Sequence, residues 1–136
     1  MPHFIRRQAQ LLFYGGWFLL GLLQALFTEL QDDEAYYWVY ARFLDWGYFD
    51  HPPMTALLIK GGGLIFGNEL GVRIFPLLLN TATLWLTERL IPERNRLLFY
   101  SLCLSVAVLQ IIGFWAVPDV PLLFFTALFF GATATF

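Results

Sequence analysis

The stretch LQDDEAYYW, Leu30 to Trp38, decides how the chain is organised. Three adjacent acids at positions 32–34 stand between an apolar segment and an aromatic one. The apolar segment, residues 11–28, would form a helix about 27 Å long, close to the thickness of the hydrocarbon core of a bilayer. The acids therefore mark the predicted end of a membrane-spanning helix and the start of a polar surface.

The composition indicates a membrane protein. Hydrophobic residues make up 59% of the 136 residues and charged residues 13%, whereas soluble domains have about 45–50% and about 25%. We therefore expect an all-α membrane protein. The net charge is −2 and the sequence has no long basic run, so we expect no nucleic-acid partner. Cys103 is the only cysteine, which excludes a disulfide within the chain.

Four apolar segments predict about four transmembrane helices. They comprise residues 11–28, 71–91, 97–117 and 120–136, and the last is still apolar where the sequence stops. A further apolar run, Met54–Phe66, has only 13 residues, too few to span a bilayer. We expect this run to lie at the interface or to re-enter, within a first external loop at residues 29–70.

Basic residues predict the orientation of these helices. Arg6 and Arg7 precede the first helix and place the N-terminus in the cytoplasm by the positive-inside rule. A second basic cluster follows the second predicted helix: Arg89, Arg94 and Arg96. Both clusters lie on the cytoplasmic side only if the Met54–Phe66 run does not span. The loop at 29–70, which holds seven of the ten acids, is then external.

A short interfacial helix is predicted directly after the acids. Residues Glu34–Trp46 carry aromatic side chains on most of the helix surface, which suits the headgroup layer. Asp33 is a good N-cap residue for this helix, and Gly47 would end it.

Three acidic segments are candidates for chemistry. The first contains Asp33 and Glu34, the second is GYFDHPP with Asp50 and His51, and the third is VPDVP with Asp119. Helix capping or solvated charge explains each segment when it is taken alone. The predicted topology brings all three to the external face, where one carboxylate can act as a general base. Asp50 and His51 could also bind a divalent metal, the one cofactor that the sequence suggests.

Three cations on the external side complete the set of candidates. Lys60 and Arg73 could bind a lipid phosphate, and His51 could do so beside them. For Lys60 the alternative is a side chain that snorkels towards the headgroups. Arg42, inside the aromatic helix, would contact headgroups or stack on a ring.

The same residues resemble a known family. The segments are DDEAYYWVYARFLDWGYFDHPPMTALLIK (32–60), GNELGVRIFPLLL (67–79) and VPDVPLLFF (117–125). Together they resemble the N-terminal portion of bacterial polyprenyl-phosphate-sugar glycosyltransferases of the GT-C class. That class includes the protein mannosyltransferases and the aminoarabinose transferase of lipid A. The resemblance covers the chain from about Leu30 onwards.

The resemblance implies a reaction and a set of roles. The reaction is transfer of a sugar from a polyprenyl phosphate carrier to an acceptor lipid, glycan or protein, with inversion, on the periplasmic face of the bacterial inner membrane. Asp33 and Glu34 match the family's acidic motif, with Asp33 as the catalytic carboxylate. Asp50 and His51 match a metal or lipid-phosphate position, and Asp119 matches a second acidic position near the site.

Two other interpretations stay open. Members of the family run to several hundred residues, so we expect this chain to be an N-terminal fragment that does not catalyse the reaction alone. A small helical membrane protein that conducts ions or protons, or that scaffolds partners, is the alternative from another class. An inactive truncated product is the third possibility.

Overall fold

The computed structural model describes residues 3–91 and 95–133. Within these ranges the chain is helical and has no β-strand, which confirms the all-α class. The helices are α1 (His3–Phe27), α2 (Asp32–Arg42), α3 (Met54–Gly63), α4 (Glu69–Leu90), α5 (Arg96–Ser105), α6 (Ala107–Ile112) and α7 (Asp119–Thr133). Three parts of the sequence predictions lie outside the described residues: the side chain of Arg6, Arg94, and positions 134–136 of the last helix.

Two of the described helices are long and apolar enough to cross a bilayer, judged by length and composition alone. They are Arg7–Phe27 of α1 and the whole of α4. The 22 residues of α4 extend for about 33 Å, which matches a hydrocarbon core of about 30 Å. Helices α5 and α7 are apolar but have only 10 and 15 residues. The described part of the chain therefore supports membrane association through two candidate spans.

The segment predicted as one helix at 97–117 forms two helices, α5 and α6. Val106, between them, leaves the helical conformation, with φ −91° and ψ 87°. The hydroxyl of Ser105 donates to the carbonyl oxygen of Leu102 at 2.9 Å, a local bond that competes with the regular helix. The β-branched side chain of Val106 also favours helix less than a straight chain does. After α6 the chain turns into the core at 114–116.

Helix α4 is the centre of the packing. It contacts α1, α3 and α7, while α2 packs on α3. Two apolar clusters meet on it. Val72 packs with Tyr37 and Ile59 beneath α2, and Leu77 packs in the cluster that contains Phe114. The position of α2 in the bundle therefore depends on how α3 lies against α4.

Helix α2 begins earlier and ends earlier than the sequence predicts. It runs from Asp32 to Arg42 with Gln31 at the N-cap, so the prediction that Asp33 caps it is wrong. The Glu34 carboxylate accepts the backbone N–H of Gln31 at 3.1 Å, which satisfies one of the donors left over at the start of a helix. Asp33 is released from capping and lies exposed in the first turn.

Two glycines allow α3 and α4 to approach each other closely. A Cβ atom on Gly62 would overlap the carbonyl oxygen of Gly71, and one on Gly71 would overlap that of Phe66. Small residues at such crossings are typical of packed membrane helices, because they let the backbones meet. Gly63, the next residue, has nothing within 4 Å of the same position.

We expect Gly62→Ala to destabilise the protein and Gly63→Ala to leave its stability unchanged or higher. The added methyl group at 62 strikes backbone, which costs about 1–3 kcal/mol, whereas at 63 it only gains helix propensity, up to about 1 kcal/mol. Thermal unfolding of the two variants in the same detergent measures the difference. Equal melting temperatures for the pair would contradict the close crossing.

Candidate functional site

A buried ion pair between Glu34 and Arg73 lies beneath the acidic segments. Both residues are 0% exposed. Arg73 Nε donates to Glu34 Oε1 at 2.8 Å and Nη2 donates to Oε2 at 2.6 Å. This side-by-side geometry is the strongest arrangement of guanidinium and carboxylate. Because a lone charge is costly to bury among apolar side chains, each member of the pair requires the other.

Arg73 also closes the end of α1. Its Nη1 donates to the carbonyl oxygens of Ala25 at 3.3 Å and Thr28 at 2.8 Å, and to the Thr28 hydroxyl at 2.9 Å. Its Nη2 donates to the carbonyl oxygen of Glu29 at 2.7 Å. The last carbonyls of a helix have no partner inside the helix, and a cation beside them also suits the helix dipole. One side chain of α4 thus fixes where α1 ends.

Glu34 fixes the connection between α6 and α7. Its Oε1 also accepts the backbone N–H of Ala116 at 3.0 Å, and its Oε2 accepts that of Gln31 at 3.1 Å. The ring of Phe114 lies under the guanidinium, with 5.2 Å from Arg73 Cζ to the ring centroid. Each carboxylate oxygen of Glu34 therefore accepts two hydrogen bonds within the protein, and the arrangement gives this side chain a structural role.

Another side of α2, away from Glu34, carries polar groups. A helix turns by about 100° per residue, so Asp33, Tyr36 and Tyr40 share this side, while Tyr37 packs in the buried cluster beneath α2. We call this side the acid–tyrosine face. Tyr36 is exposed and Tyr40 is half-buried, so their hydroxyls can be reached by the loop that follows α2.

Asp50 comes from that loop and binds two of these tyrosines. The Tyr36 hydroxyl donates to Asp50 Oδ1 at 3.1 Å and Oδ2 at 3.0 Å, and the Tyr40 hydroxyl donates to Oδ1 at 2.9 Å. The two hydroxyls also bond to each other. His51 Nδ1 lies 3.1 Å from Asp50 Oδ2, within the distance of an ion pair. The carboxylate is thus fixed on the acid–tyrosine face from both sides.

Tyr48 folds the loop back onto α2. Its ring stacks on that of Tyr40, with 3.9 Å between the centroids and 4° between the planes. Its hydroxyl donates to the carbonyl oxygens of Tyr40 at 2.9 Å and Phe43 at 3.2 Å, where α2 ends. These contacts explain how Asp50, ten residues after Tyr40, returns to the face of the helix it follows.

Tyr37 lies among three acids from separate segments. Its ring meets that of His51 edge-on, with 5.2 Å between the centroids, and the residue is buried. Burial raises the pKa of Tyr37, and the negative charges of Asp33, Asp50 and Asp119 raise it further. All three carboxylates therefore lie within electrostatic reach of one phenol. Charges from α2, from the following loop and from α7 thus act on the same phenol.

The electrostatics of Asp50 differ from those of an exposed acid. Burial acts to raise its pKa, but contacts from Tyr40, His51 and Tyr36 outweigh this and hold the pKa below its ordinary value near 3.8. The pKa of Tyr40 is raised, chiefly by its hydrogen bond with Tyr36 and also by burial and Asp50. Near neutral pH the phenol is therefore a donor and the carboxylate is an ionised acceptor.

Asp33 and Asp119 are the carboxylates that are open to a ligand. Both residues are exposed, and neither side chain has a hydrogen-bond or ion-pair partner within the described ranges. Each also lies in the first turn of its helix, α2 or α7.

The remaining predicted site residues lie elsewhere. Glu34 and Arg73 are held by each other inside the bundle, away from solvent. Lys60 lies in a separate cavity that it shares with Arg42. Among the described residues no group of three or more His, Cys, Asp or Glu side chains could hold a metal ion. Asp50 and His51 therefore supply at most two adjacent donors.

Sequence reasoning missed the tyrosines that bind Asp50. Their signal is present in the sequence, since Tyr36 and Tyr40 are four residues apart and so fall on the side of the helix that carries Asp33. As interfacial anchors the tyrosines group with Trp38, although Trp38 lies on another side of α2.

A second buried carboxylate, Glu88, was also missed. It is 2% exposed and accepts hydrogen bonds from the hydroxyls of Tyr14 at 2.6 Å and Tyr100 at 3.2 Å. Its Oε1 also lies 2.7 Å from Arg96 Nε. Glu88 is 15 residues beyond Arg73, about 22 Å along α4. Polar contacts thus hold both ends of α4, and the partners of Glu88 come from α1 and α5.

Comparisons with known proteins add no identification. No protein-family model, curated protein or solved structure matches the chain.

We expect Arg73→Met to destabilise the protein by about 3–5 kcal/mol, because it leaves the Glu34 carboxylate buried without its partner. The matched control is Arg7→Met, which removes an exposed arginine and should change stability by less than about 0.5 kcal/mol. Denaturant titration in mixed micelles, followed by tryptophan fluorescence, measures both. A double variant with Glu34→Leu should recover part of the loss. Equal stability of Arg73→Met and Arg7→Met would contradict the structural role of the pair.

We expect Tyr40→Phe to raise the pKa of Asp50 towards 3.8, because the largest stabilising hydrogen bond to the carboxylate is lost. The ionised Asp50 carboxylate stabilises the folded loop, so its contribution to the free energy of unfolding is complete above a pH of about 4. In the parent protein the contribution is lost only as the pH falls through the lowered pKa. Carboxyl NMR titration of Asp50 measures the shift. Trp38→Phe, which lies on another side of α2 from Asp50, is the control.

Proposed function

We propose that the acid–tyrosine face, with its neighbouring acids, is part of a site that transfers a sugar from a polyprenyl phosphate carrier to an acceptor. In this reaction Asp33 takes a proton from the acceptor hydroxyl or amine, the acceptor attacks the anomeric carbon, and the carrier phosphate leaves with the electrons of the bond to the sugar. Asp119 is the second open carboxylate beside it. The resemblance of segments 32–60, 67–79 and 117–125 to GT-C glycosyltransferases supplies the reaction class.

One observation carries this proposal. Two exposed acids without hydrogen-bond partners in the described residues, Asp33 and Asp119, act electrostatically on the same buried phenol as Asp50, although the three acids come from separate segments. Acids that serve only as solvated charges would gain nothing from acting on one phenol together, since like charges repel. A site that must bind a sugar and accept a proton has a use for several carboxylates in one place.

Asp50 and His51 fit an accessory role. Nδ1 of His51 already lies 3.1 Å from the Asp50 carboxylate. Oγ1 of Thr55, at the start of α3, is buried and makes no hydrogen bond within the described residues. This hydroxyl could bond to a phosphate or sugar oxygen of a substrate. Because the described residues offer only two adjacent donors here, no step of the proposal passes through a metal, and the metal requirement stays a prediction.

The membrane setting belongs to the same proposal. Helix α1 and α4 would form two crossings, α5 with α6 a third, and α7 a fourth, with the N-terminus in the cytoplasm of a bacterial cell. The loop after α2 supports an interfacial position for α2, because it exposes large aromatic rings: Phe43 is 77% exposed and Trp46 is 96% exposed. Such rings favour the headgroup region. A site placed there would meet a lipid-linked sugar directly.

We expect Asp33→Asn to abolish sugar transfer, because the amide cannot accept the proton. Asp32→Asn is the matched control: it is the neighbouring exposed acid in the same turn of α2, and it should keep the parent rate. Transfer of radiolabelled sugar from polyprenyl phosphate is measured in membranes of cells that express the protein from its native locus. Equal protein levels and melting temperatures exclude unfolding as the cause. Full activity of Asp33→Asn would refute the assignment.

Ion or proton conduction is the second candidate. It would use the polar groups that run along α4, where Asn80 lies between Arg73 and Glu88. Asn80 accepts a hydrogen bond from Trp17 Nε1 at 3.1 Å, and the other two groups are paired as described above. Since these groups are occupied by one another, they favour helix packing over a conduction path. Proton or cation flux into liposomes that hold the protein would reverse this preference.

A further inference from the structure

A cavity of about 340 Å³ lies on the side of α2 that is turned away from the acid–tyrosine face. Trp38 and Arg42 line it, and each is about 160° around the helix from Tyr40. Helix α3 and the start of α4 form the other walls. Ligand sites are typically about 300–1,000 Å³, so this cavity has room for a small polar group.

Two cations enter this cavity without an acidic partner. Arg42 and Lys60 both line it, and neither forms an ion pair within the described part of the chain. The Arg42 guanidinium lies over the Trp38 ring, with 4.3 Å from Cζ to the ring centroid. Arg73 and Arg96, in contrast, are each bound to a carboxylate. The cavity therefore holds positive charge that the fold itself does not use.

The rest of the lining defines which anion would fit. Glu69, at the first turn of α4, contributes one carboxylate. Two cations and one carboxylate leave a net charge of +1, which balances one singly charged phosphodiester. Ile59 and Val72 form an apolar floor, since both are buried in the cluster beneath α2. A phosphodiester that carries an apolar group satisfies both parts of the lining.

The position of the cavity indicates that this group is a lipid. The loop between α3 and α4 forms its rim and exposes Leu64 to 80% and Phe66 to 37%, while Ile65 beside them is 62% exposed. The cavity also lies at the start of α4, one of the two candidate spans. Exposed apolar side chains around a cationic cavity at the end of a span match the boundary between headgroups and acyl chains.

We propose that this cavity binds the phosphodiester headgroup of a glycerophospholipid, with Arg42 and Lys60 on the phosphate. The site is distinct from the acid–tyrosine face, and the proposal does not rest on sugar transfer. It assigns Lys60 to a structural lipid on the other side of α2. The bound lipid would hold α2 against α3 and the start of α4, where Arg42, Lys60 and Glu69 come together.

Native mass spectrometry of the purified protein in an uncharged detergent, titrated with phosphatidylglycerol, tests the proposal. Arg42→Gln with Lys60→Gln should raise the apparent Kd of the first bound lipid at least about ten-fold, the effect of losing one charge-assisted contact. Gly63→Phe should also raise this Kd, without changing charge. Gly63 lines the cavity and has open space beside it, so the added ring would occupy the space of the lipid headgroup.

Two controls separate this site from general attraction to anionic lipid. Arg7→Gln removes an exposed cation at the other end of the bundle, and Gly16→Phe adds a ring where Gly16 also has open space. Both should keep the Kd within about two-fold of the parent. An equal loss in the controls would overturn the proposal.

Competition identifies the source of the phosphate. Displacement of the lipid by glycerol 3-phosphate at similar concentrations would make the cavity a site for a soluble phosphate and refute the lipid assignment. Preferential displacement by a polyprenyl phosphate would refute it too, because the cavity would then belong to the donor site. Retention of phosphatidylglycerol against both supports it.

Discussion

The paired charges of Glu34 and Arg73 are the constraint on which the α2 end of the bundle depends. Neither charge could be buried alone, and together they leave no donor or acceptor facing apolar side chains. The guanidinium holds the end of α1, and the carboxylate holds the start of α2 and the connection before α7. The open acids Asp33 and Asp119 are positioned by these same segments. A structural ion pair thus sets the geometry of a surface that it does not itself form.

Helices α1 and α4 are joined by polar contacts at three levels. Arg73 bonds to the last turn of α1, Asn80 bonds to Trp17, and Glu88 bonds to Tyr14 one turn before Trp17 and to Gln10 one turn before that. Apolar packing does little to fix the register of two helices inside a bilayer, because lipid tails are as apolar as the side chains. Hydrogen bonds at fixed positions along both helices fix the register, since a slip of one turn would break all three.

The sequence predicts those structural features that depend on neighbouring residues alone. The length and composition of apolar segments predicted helices, and the clustering of acids in three segments predicted an acidic surface. The partner of Glu34 could not be predicted, because Arg73 is 39 residues away and its residue type suits a lipid phosphate equally well. The same holds for Glu88, whose partners come from α1 and α5. The break at Val106 was missed because both flanking segments are apolar, and apolar content alone does not reveal a change of direction.

The role of Arg73 at the end of α1 has a consequence for the order of assembly. During synthesis α1 emerges first, with its last carbonyls unpaired, and Glu34 follows with no counter-charge. The α1 carbonyls and Glu34 gain their partner Arg73 only when α4 has been made and has entered the bundle. The contact of Glu34 with Ala116 forms later still. Until then α2 has reason to stay in water with its acids hydrated. The surface that α2 and its following loop form can therefore mature only after α4 has been made, although residues 32–50 precede α4 in the sequence.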